Sequence, residues 1–321
     1  MRGCLVGSGS EGLQQSEICK CVISLTKKEA SDVKVLYIGT ATYDLPAPKK
    51  NQTIRFQEAG CQILDIKCID QNDSTSKEDM IKNCEAADVI IISGGNTLFA
   101  IDKWHAIGLV PHLRAAADRG AVLSGGSAGA ICWFDGGHSD SADPDSYLQK
   151  MIQDAKDAQM GYKAAVTDES SAAPSSEADV KAWEYIRVPC LGFFPGLVCP
   201  HADKVQSNGV LRATDFDAMM LRHSSERGLC IDHFAALVVE GDRYEVLSLP
   251  GRPGSVLPDG SFSTRQEGVP GMWVKNVANG VVATSLVPES GNLADLLKPV
   301  AEGDIIQDPR LTHCRQANPL C

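Results

Sequence analysis

Short apolar runs alternate with longer polar or amphipathic stretches along the first 130 residues. "VKVLYIGTA" (33–41), "CQILDIKCI" (61–69), "ADVIIISGG" (87–95) and "AVLSGG" (121–126) are continuous runs of strand length, most of them closing on small residues. That is the pattern of strands buried on both faces of a parallel sheet. "KKNQTIRFQEAG" and "NDSTSKEDMIKNCEAA" between them read as helices. So does "NTLFAIDKWHAIGLVPHLRAAADRG", with a break at Gly108-Leu109-Val110-Pro111, and "SAGAICWF" reads as the opening of another. Strand–helix alternation predicts a doubly wound α/β fold with a mostly parallel sheet and right-handed crossovers. Ligands bind such sheets at the carboxyl ends of the strands, where Gly94, Gly95, Gly125, Gly126 and Ser127 are predicted to lie.

The pattern changes after residue 135. Residues 136–182 are polar and rich in Ser, Asp and Ala, and read as an insertion with a helix in "DSYLQKMIQDAKDAQ" and an exposed loop in "SSAAPSSEADV". "CLGFFPGLVCPHAD" (190–203) returns to the core as a strand. "GLCIDHFAALVVEGDRYEVLSL" (228–249) reads as paired strands turning at Glu240-Gly241-Asp242-Arg243. Past Pro250 the chain is rich in Gly and Pro, with one more hairpin predicted at Asn279-Gly280. The expected organisation is an α/β unit over 1–249 carrying the 136–182 insertion, and a β-rich extension over 250–321 packed on it.

Composition narrows the function. The 321 residues are 43% hydrophobic and 22% charged, with a net charge of -11. This acidity argues against a nucleic-acid binder, which needs clustered Lys and Arg, and means that an anionic ligand needs a local cation. No apolar run has the length of a membrane span. "MRGCLVGSGSEG" has too short an apolar stretch for a secretory signal, so a cytoplasmic protein with reduced thiols is expected. The twelve cysteines are scattered and lack zinc-site spacing.

The chemistry concentrates at "VLSGGSAGAICW" (122–133). Gly125-Gly126-Ser127-Ala128-Gly129 fits G-x-S-x-G between a strand and a helix, the setting of a nucleophile elbow. Small neighbours permit a strained turn that projects one hydroxyl, and the Ala128 amide in the first helical turn would face a developing oxyanion. Of the seven histidines, His201 is the candidate base, because it follows an apolar strand at its carboxyl end.

"SGGNT" (93–97), "GGSAGA" (125–130) and "LGFFPGLVCPH" (191–201), in this order and on these elements, resemble the peptidase E (aspartyl dipeptidase) and cyanophycinase family of serine peptidases over roughly residues 33–249. The resemblance implies a class I glutamine-amidotransferase-like α/β fold and cleavage of peptides with N-terminal aspartate. It makes Ser127 the nucleophile and His201 the general base, with Gly95 and Ala128 as oxyanion-hole amides. Asn96 joins the substrate side of the site, although its side chain suits fixing its own turn. Arg212 falls where the family has a substrate-binding arginine, suited to gripping a carboxylate. The family's acid lies in a segment resembling "GIDE". Here the segment is "CIDHF", so His233 takes the acid's place, and Asp232 and Asp140 are the alternative third members.

The expected activity is therefore a serine exopeptidase acting on small acidic peptides, with no metal or organic cofactor, no nucleic-acid or membrane partner, and room for homodimer formation. Two other readings fit parts of the sequence. An α/β-hydrolase-type esterase would use His313 or His233 as base. A non-catalytic protein could keep an acidic-peptide pocket after losing the acid.

Overall fold

The structure is a computed structural model and describes residues 1–160, 180–255 and 268–320. Its strands are β1 (Arg2–Val6), β2 (Lys34–Ile38), β3 (Gln62–Ile66), β4 (Val89–Ile92), β5 (Val122–Gly126), β6 (Phe134–Ser139) and β7 (Ile186–Pro189). They continue as β8 (Phe194–Cys199), β9 (Gly228–Ile231), β10 (Ala235–Glu240), β11 (Arg243–Ser248), β12 (Met272–Ala278), β13 (Val281–Leu286) and β14 (Ser290–Asn292). The first sheet has the order β14-β11-β10-β1-β5-β4-β2-β3 and the second β13-β12-β9-β8-β6-β7.

The four apolar runs of the first half form β2, β3, β4 and β5, all parallel. A fifth parallel strand, β1, is the one the sequence pattern left unassigned. It lies between β5, to which it is parallel, and β10, to which it is antiparallel. Side-chain alternation along β1 divides the core. Cys4 and Val6 pack with helix Ser16–Thr26 and Phe56 on one face. Leu5 packs on the other face with helix Thr97–Ile107 and with Phe194, Val198 and Leu229 of the second sheet. β1 is thus buried from both sides.

The second sheet holds three parallel strands, β6, β8 and β9, with β7 and β12 antiparallel at their flanks. Its other face is covered by helix Arg212–Arg222 through Phe216, Met219 and Met220. The expected insertion therefore begins inside a strand. "GGHS" reads as polar loop, yet Gly136 and Gly137 sit where a Cβ would meet Val188 O at 2.8 Å and Val198 O at 2.6 Å. Their lack of side chain permits close strand packing. Helix Leu148–Gln159 follows as expected, whereas "SSAAPSSEADV" lies outside the described residues but for its final valine.

The 250–321 segment shares both sheets. β12 pairs with β9 and β14 with β11. Both predicted hairpins form, with Glu240 opposite Arg243 and Ala278 opposite Val281. Asn279 and Gly280 both have positive φ, 51° and 76°, the conformation a tight two-residue hairpin needs. Among the described residues no helix is long and apolar enough to cross a membrane.

The carboxyl end of β1 is tightly enclosed. A Cβ on Gly7 would lie 1.9 Å from Asp232 O, and one on Gly126 would lie 2.0 Å from Ser8 O. Asp232 is fully buried, and its Oδ2 accepts the Gly271 N–H at 2.8 Å, tying the end of β9 to the start of β12. Burial, then the charge of Asp203, pushes its carboxyl up to about 8, against the pull of the Gly271 and Ser255 hydrogen bonds.

Two stability predictions follow from this packing. Gly7→Ala forces backbone against backbone and is expected to cost about 3 kcal/mol or more in denaturant unfolding; a change within about 0.5 kcal/mol would refute the close approach. For Asp232, the folded state keeps a proton that the unfolded chain releases near 3.8. Its stabilising contribution is complete below that value and disappears as pH rises to about 8. Asp232→Asn should therefore lose less Tm than wild type between pH 5 and pH 9, and parallel Tm curves for the two proteins would contradict a protonated carboxyl.

Candidate active site

Ser127 lies between β5 and a single helical turn, Ala128–Ile131, with φ 55° and ψ −122°. A non-glycine residue in this region is strained and must be held by its surroundings. The glycines around it serve backbone contact. A Cβ on Gly125 would meet Ile92 O at 2.7 Å, and one on Gly129 would meet the same oxygen at 2.1 Å. The helix expected to open at "SAGAICWF" is a single turn, and the chain then enters β6. The helix dipole is correspondingly small, and any oxyanion contact here rests on the N–H of Ala128, which as the first helical residue has no intrahelical acceptor.

His201 follows β8 and Pro200, also at positive φ, 50°. The two residues share one anchor. Ser127 N–H donates to Val6 O at 3.2 Å and His201 N–H donates to Gly7 O at 3.1 Å. Consecutive carbonyls of one chain thus hold nucleophile and base candidates on the same rim. Their side chains are not hydrogen-bonded to each other here, and catalytic contacts of this kind often close only with substrate. Ser127 is 5% exposed and His201 3%. Burial, with His233, Arg212 and Lys204 acting in the same direction, holds the His201 imidazole well below its usual value.

The partner of His201 is His233. The two Nδ1 atoms lie 2.7 Å apart, and His233 Nε2 lies 2.6 Å from Glu11 Oε2. The His233 backbone N–H donates to Asp203 Oδ1 at 2.7 Å. Glu11 was missed from the sequence. "RGCLVGSGSEG" has the grammar of the other strand ends, an apolar run closing on small residues, and read that way it would have placed Glu11 at the same rim.

Three sequence assignments are corrected by geometry. Asp232 lies just past the end of β9 and its Oδ2 is taken by the Gly271 N–H, while the next residue, His233, is the one that meets His201. Asp140 meets Arg212 Nη1 at 3.3 Å, not the imidazole. Arg212 is completely buried and engaged: Nη1 also donates to Gln206 Oε1 at 2.9 Å and Nη2 to His138 O at 2.6 Å, and its guanidinium lies over Tyr185. A guanidinium so enclosed braces the second sheet and does not face a ligand.

Gly95 turns at φ 107° after β4, and a Cβ there would lie 2.2 Å from Ala41 O. Asn96 caps helix Thr97–Ile107: its Oδ1 accepts the Phe99 N–H at 3.0 Å and its Nδ2 donates to Ser146 Oγ at 2.8 Å. These bonds give it a structural occupation. His313 is exposed on helix Leu311–Ala317, whose buried residues pack with Leu98, Ile186 and Val188. The described residues contain no group of three or more His, Cys, Asp or Glu placed to hold a metal.

Residues 4–155 match Peptidase family S51. A Trypanosoma brucei brucei protein named G2/mitotic-specific cyclin-1 is 28% identical over 337 residues, covering 99% of this chain and 94% of that protein, whose name is its own. The Bacillus subtilis (strain 168) protein named Uncharacterized peptidase YgaJ is 32% identical over 149 residues, 46% of this chain and 62% of the relative. Among solved structures, a peptidase from an acI-B1 Actinobacterium shares the fold, with a TM-score of 0.53 at 16% identity over 91% of this chain and 96% of that one. The S51 match runs from β1 through the Ser127 elbow into helix Leu148–Gln159. Over residues 4–155, a little under half of the chain, this protein is similar to peptidase family S51, the peptidase E family of serine peptidases.

Proposed function

We propose that this serine-type peptidase removes N-terminal aspartate from short peptides through an acyl-enzyme on Ser127. The observation that carries the proposal is the anchoring of two positive-φ residues, Ser127 and His201, on the consecutive carbonyls of Val6 and Gly7. In this reading Ser127 Oγ attacks the scissile carbonyl carbon, and His201 Nε2 accepts the hydroxyl proton and delivers it to the leaving amine. Water then hydrolyses the acyl-enzyme with His201 again as base. The amides of Ala128 and Gly95 are the proposed oxyanion donors, each contributing about 3–4 kcal/mol in hydrolases of this type.

Specificity for an acidic residue needs a cation other than the enclosed Arg212. Lys204 and Arg252 are better placed. Lys204 Nζ lies 5.7 Å and the Arg252 guanidinium 5.0 Å from the centre of the Phe234 ring, next to His233. A cytosolic location is part of the same proposal, supported by free thiols at the described cysteines.

Ser127→Ala is expected to abolish both release of aspartate from Asp-X dipeptides and labelling by a fluorophosphonate, with Tm unchanged. Undiminished turnover in that variant would refute the nucleophile. Because burial lowers the His201 value, the imidazole stays neutral as pH falls. The acid limb of kcat/KM should therefore lie below about pH 6.5, the ordinary imidazole value; a limb at or above it would contradict His201 as base.

A further inference from the structure

We propose that Glu11 acts as a remote positioning residue for the Ser127–His201 pair, working through His233 to fix which nitrogen of His201 carries the proton. This inference rests on the nucleophile and base assigned above. It names a role for a residue outside the three motifs and accounts for the histidine in "CIDHF".

Two Nδ1 atoms 2.7 Å apart form a hydrogen bond only if one carries a proton and the other a lone pair. Two neutral imidazoles have two solutions. In the first, His233 holds its proton on Nε2 and accepts at Nδ1, so His201 donates from Nδ1 and its Nε2 is free to take the Ser127 proton. In the second, His233 donates from Nδ1, and His201 holds its proton on Nε2, where it cannot act as a base. Glu11 Oε2 lies 2.6 Å from His233 Nε2. An ionised carboxylate is acceptor-only, so it demands a proton on that nitrogen and selects the first solution. The chain of donors then runs from Ser127 Oγ–H to His201 Nε2, from His201 Nδ1–H to His233 Nδ1, and from His233 Nε2–H to Glu11.

The surroundings hold this order. Asp203 fixes the His233 backbone, and the His233 and Phe234 rings meet edge to face. The Glu11 backbone sits in the turn that follows β1, where Leu13 N–H donates to Gly9 O at 2.9 Å and the Gln15 side chain donates to Glu11 O at 2.7 Å. The Glu11 side chain is 56% exposed while that of His233 is 7% exposed. The carboxylate can therefore stay hydrated on one side while serving a buried imidazole on the other. When His201 becomes cationic during proton transfer, His233 accepts its Nδ1–H and Glu11 lies at the far end to balance the charge.

The test measures the rate of Ser127 labelling by a fluorophosphonate in the full chain. In that reaction the Oγ–P bond forms, the P–F bond breaks with fluoride leaving, and the hydroxyl proton passes to His201. Glu11→Ala should slow labelling by about 10- to 100-fold without changing the probe concentration for half-saturation, less than the roughly 10⁴ lost when a directly bonded acid is replaced in a serine protease. His233→Glu puts a carboxylate directly beside His201, so in that background the cost of Glu11→Ala should shrink to within about twofold, a coupling between the two sites. As a second readout, ¹⁵N NMR of His201 should show the proton on Nδ1 in the wild type and its redistribution toward Nε2 in Glu11→Ala. Wild-type labelling rates in Glu11→Ala, the same loss in both backgrounds, or an unchanged His201 tautomer would each overturn the relay while leaving Ser127 as nucleophile. A wild type that is not labelled at all would instead overturn the nucleophile reading, and this inference with it.

Discussion

The carbonyls of Val6 and Gly7, at the carboxyl end of β1, are the constraint on which the site depends. One holds the amide of Ser127 and the other the amide of His201. Each of those residues has a positive φ that costs energy in isolation, on the order of 1–3 kcal/mol. Both conformations persist because β1 is fixed by neighbours on every side: β5 and β10 in the plane, apolar packing above and below, and the Asp232 carbonyl against Gly7. The elbow and the histidine come from chain segments more than seventy residues apart, yet they are registered to one another through two consecutive peptide units of a third segment.

Polar groups elsewhere in the second sheet look chemical in the sequence and are structural in the fold. Arg212 Nη1 and Nη2 are held by Asp140, Gln206 and the His138 carbonyl, with Arg212 Nε left buried and without a partner among the described residues. His138 in turn meets Asp215 at 2.7 Å, and burial takes its imidazole down to about 4. Arg187 and Glu226 form a bidentate pair, both bonds 2.8 Å, with almost no exposure. A buried charge is tolerated only when paired and hydrogen-bonded, so these residues are committed to each other. The Glu11–His233–His201 series differs in two respects. Its acidic end is far more open to solvent, with the Glu11 side chain 56% exposed against 27% for Asp215, and its other end lies on the rim that carries Ser127.

Much of the architecture was legible. The runs at 33–41, 61–69, 87–95 and 121–126 became parallel strands, because strands buried on both faces leave a continuous apolar signature. The turns at Gly241 and at Asn279-Gly280 were readable because their backbone conformations restrict the residues that fit. Three elements were hidden for opposite reasons. β1 is only five residues long and opens on Arg2 and Gly3, so its apolar signature is short. β6 is flanked by strands on both sides but carries "GGHS", since close strand packing removed the side chains by which a buried strand is recognised. The 250–321 strands read as an appendage because nothing local indicates that β12 pairs with β9 or β14 with β11.

By itself the sequence determined what is local: the strand-to-helix alternation, the one hydroxyl among glycines at the end of β5, the histidine after β8, and the family that these motifs resemble. The tertiary structure decided the company each charged group keeps. Sequence spacing could not tell whether Asp232, Asp140 or a more distant carboxylate serves His201, because hydrogen bonding depends on separations of about 3 Å that are set by strand register and sheet pairing. Folding turned Asp232 toward Gly271, buried Arg212 against Asp140, and brought Glu11 from the first turn of the chain to His233, 222 residues away.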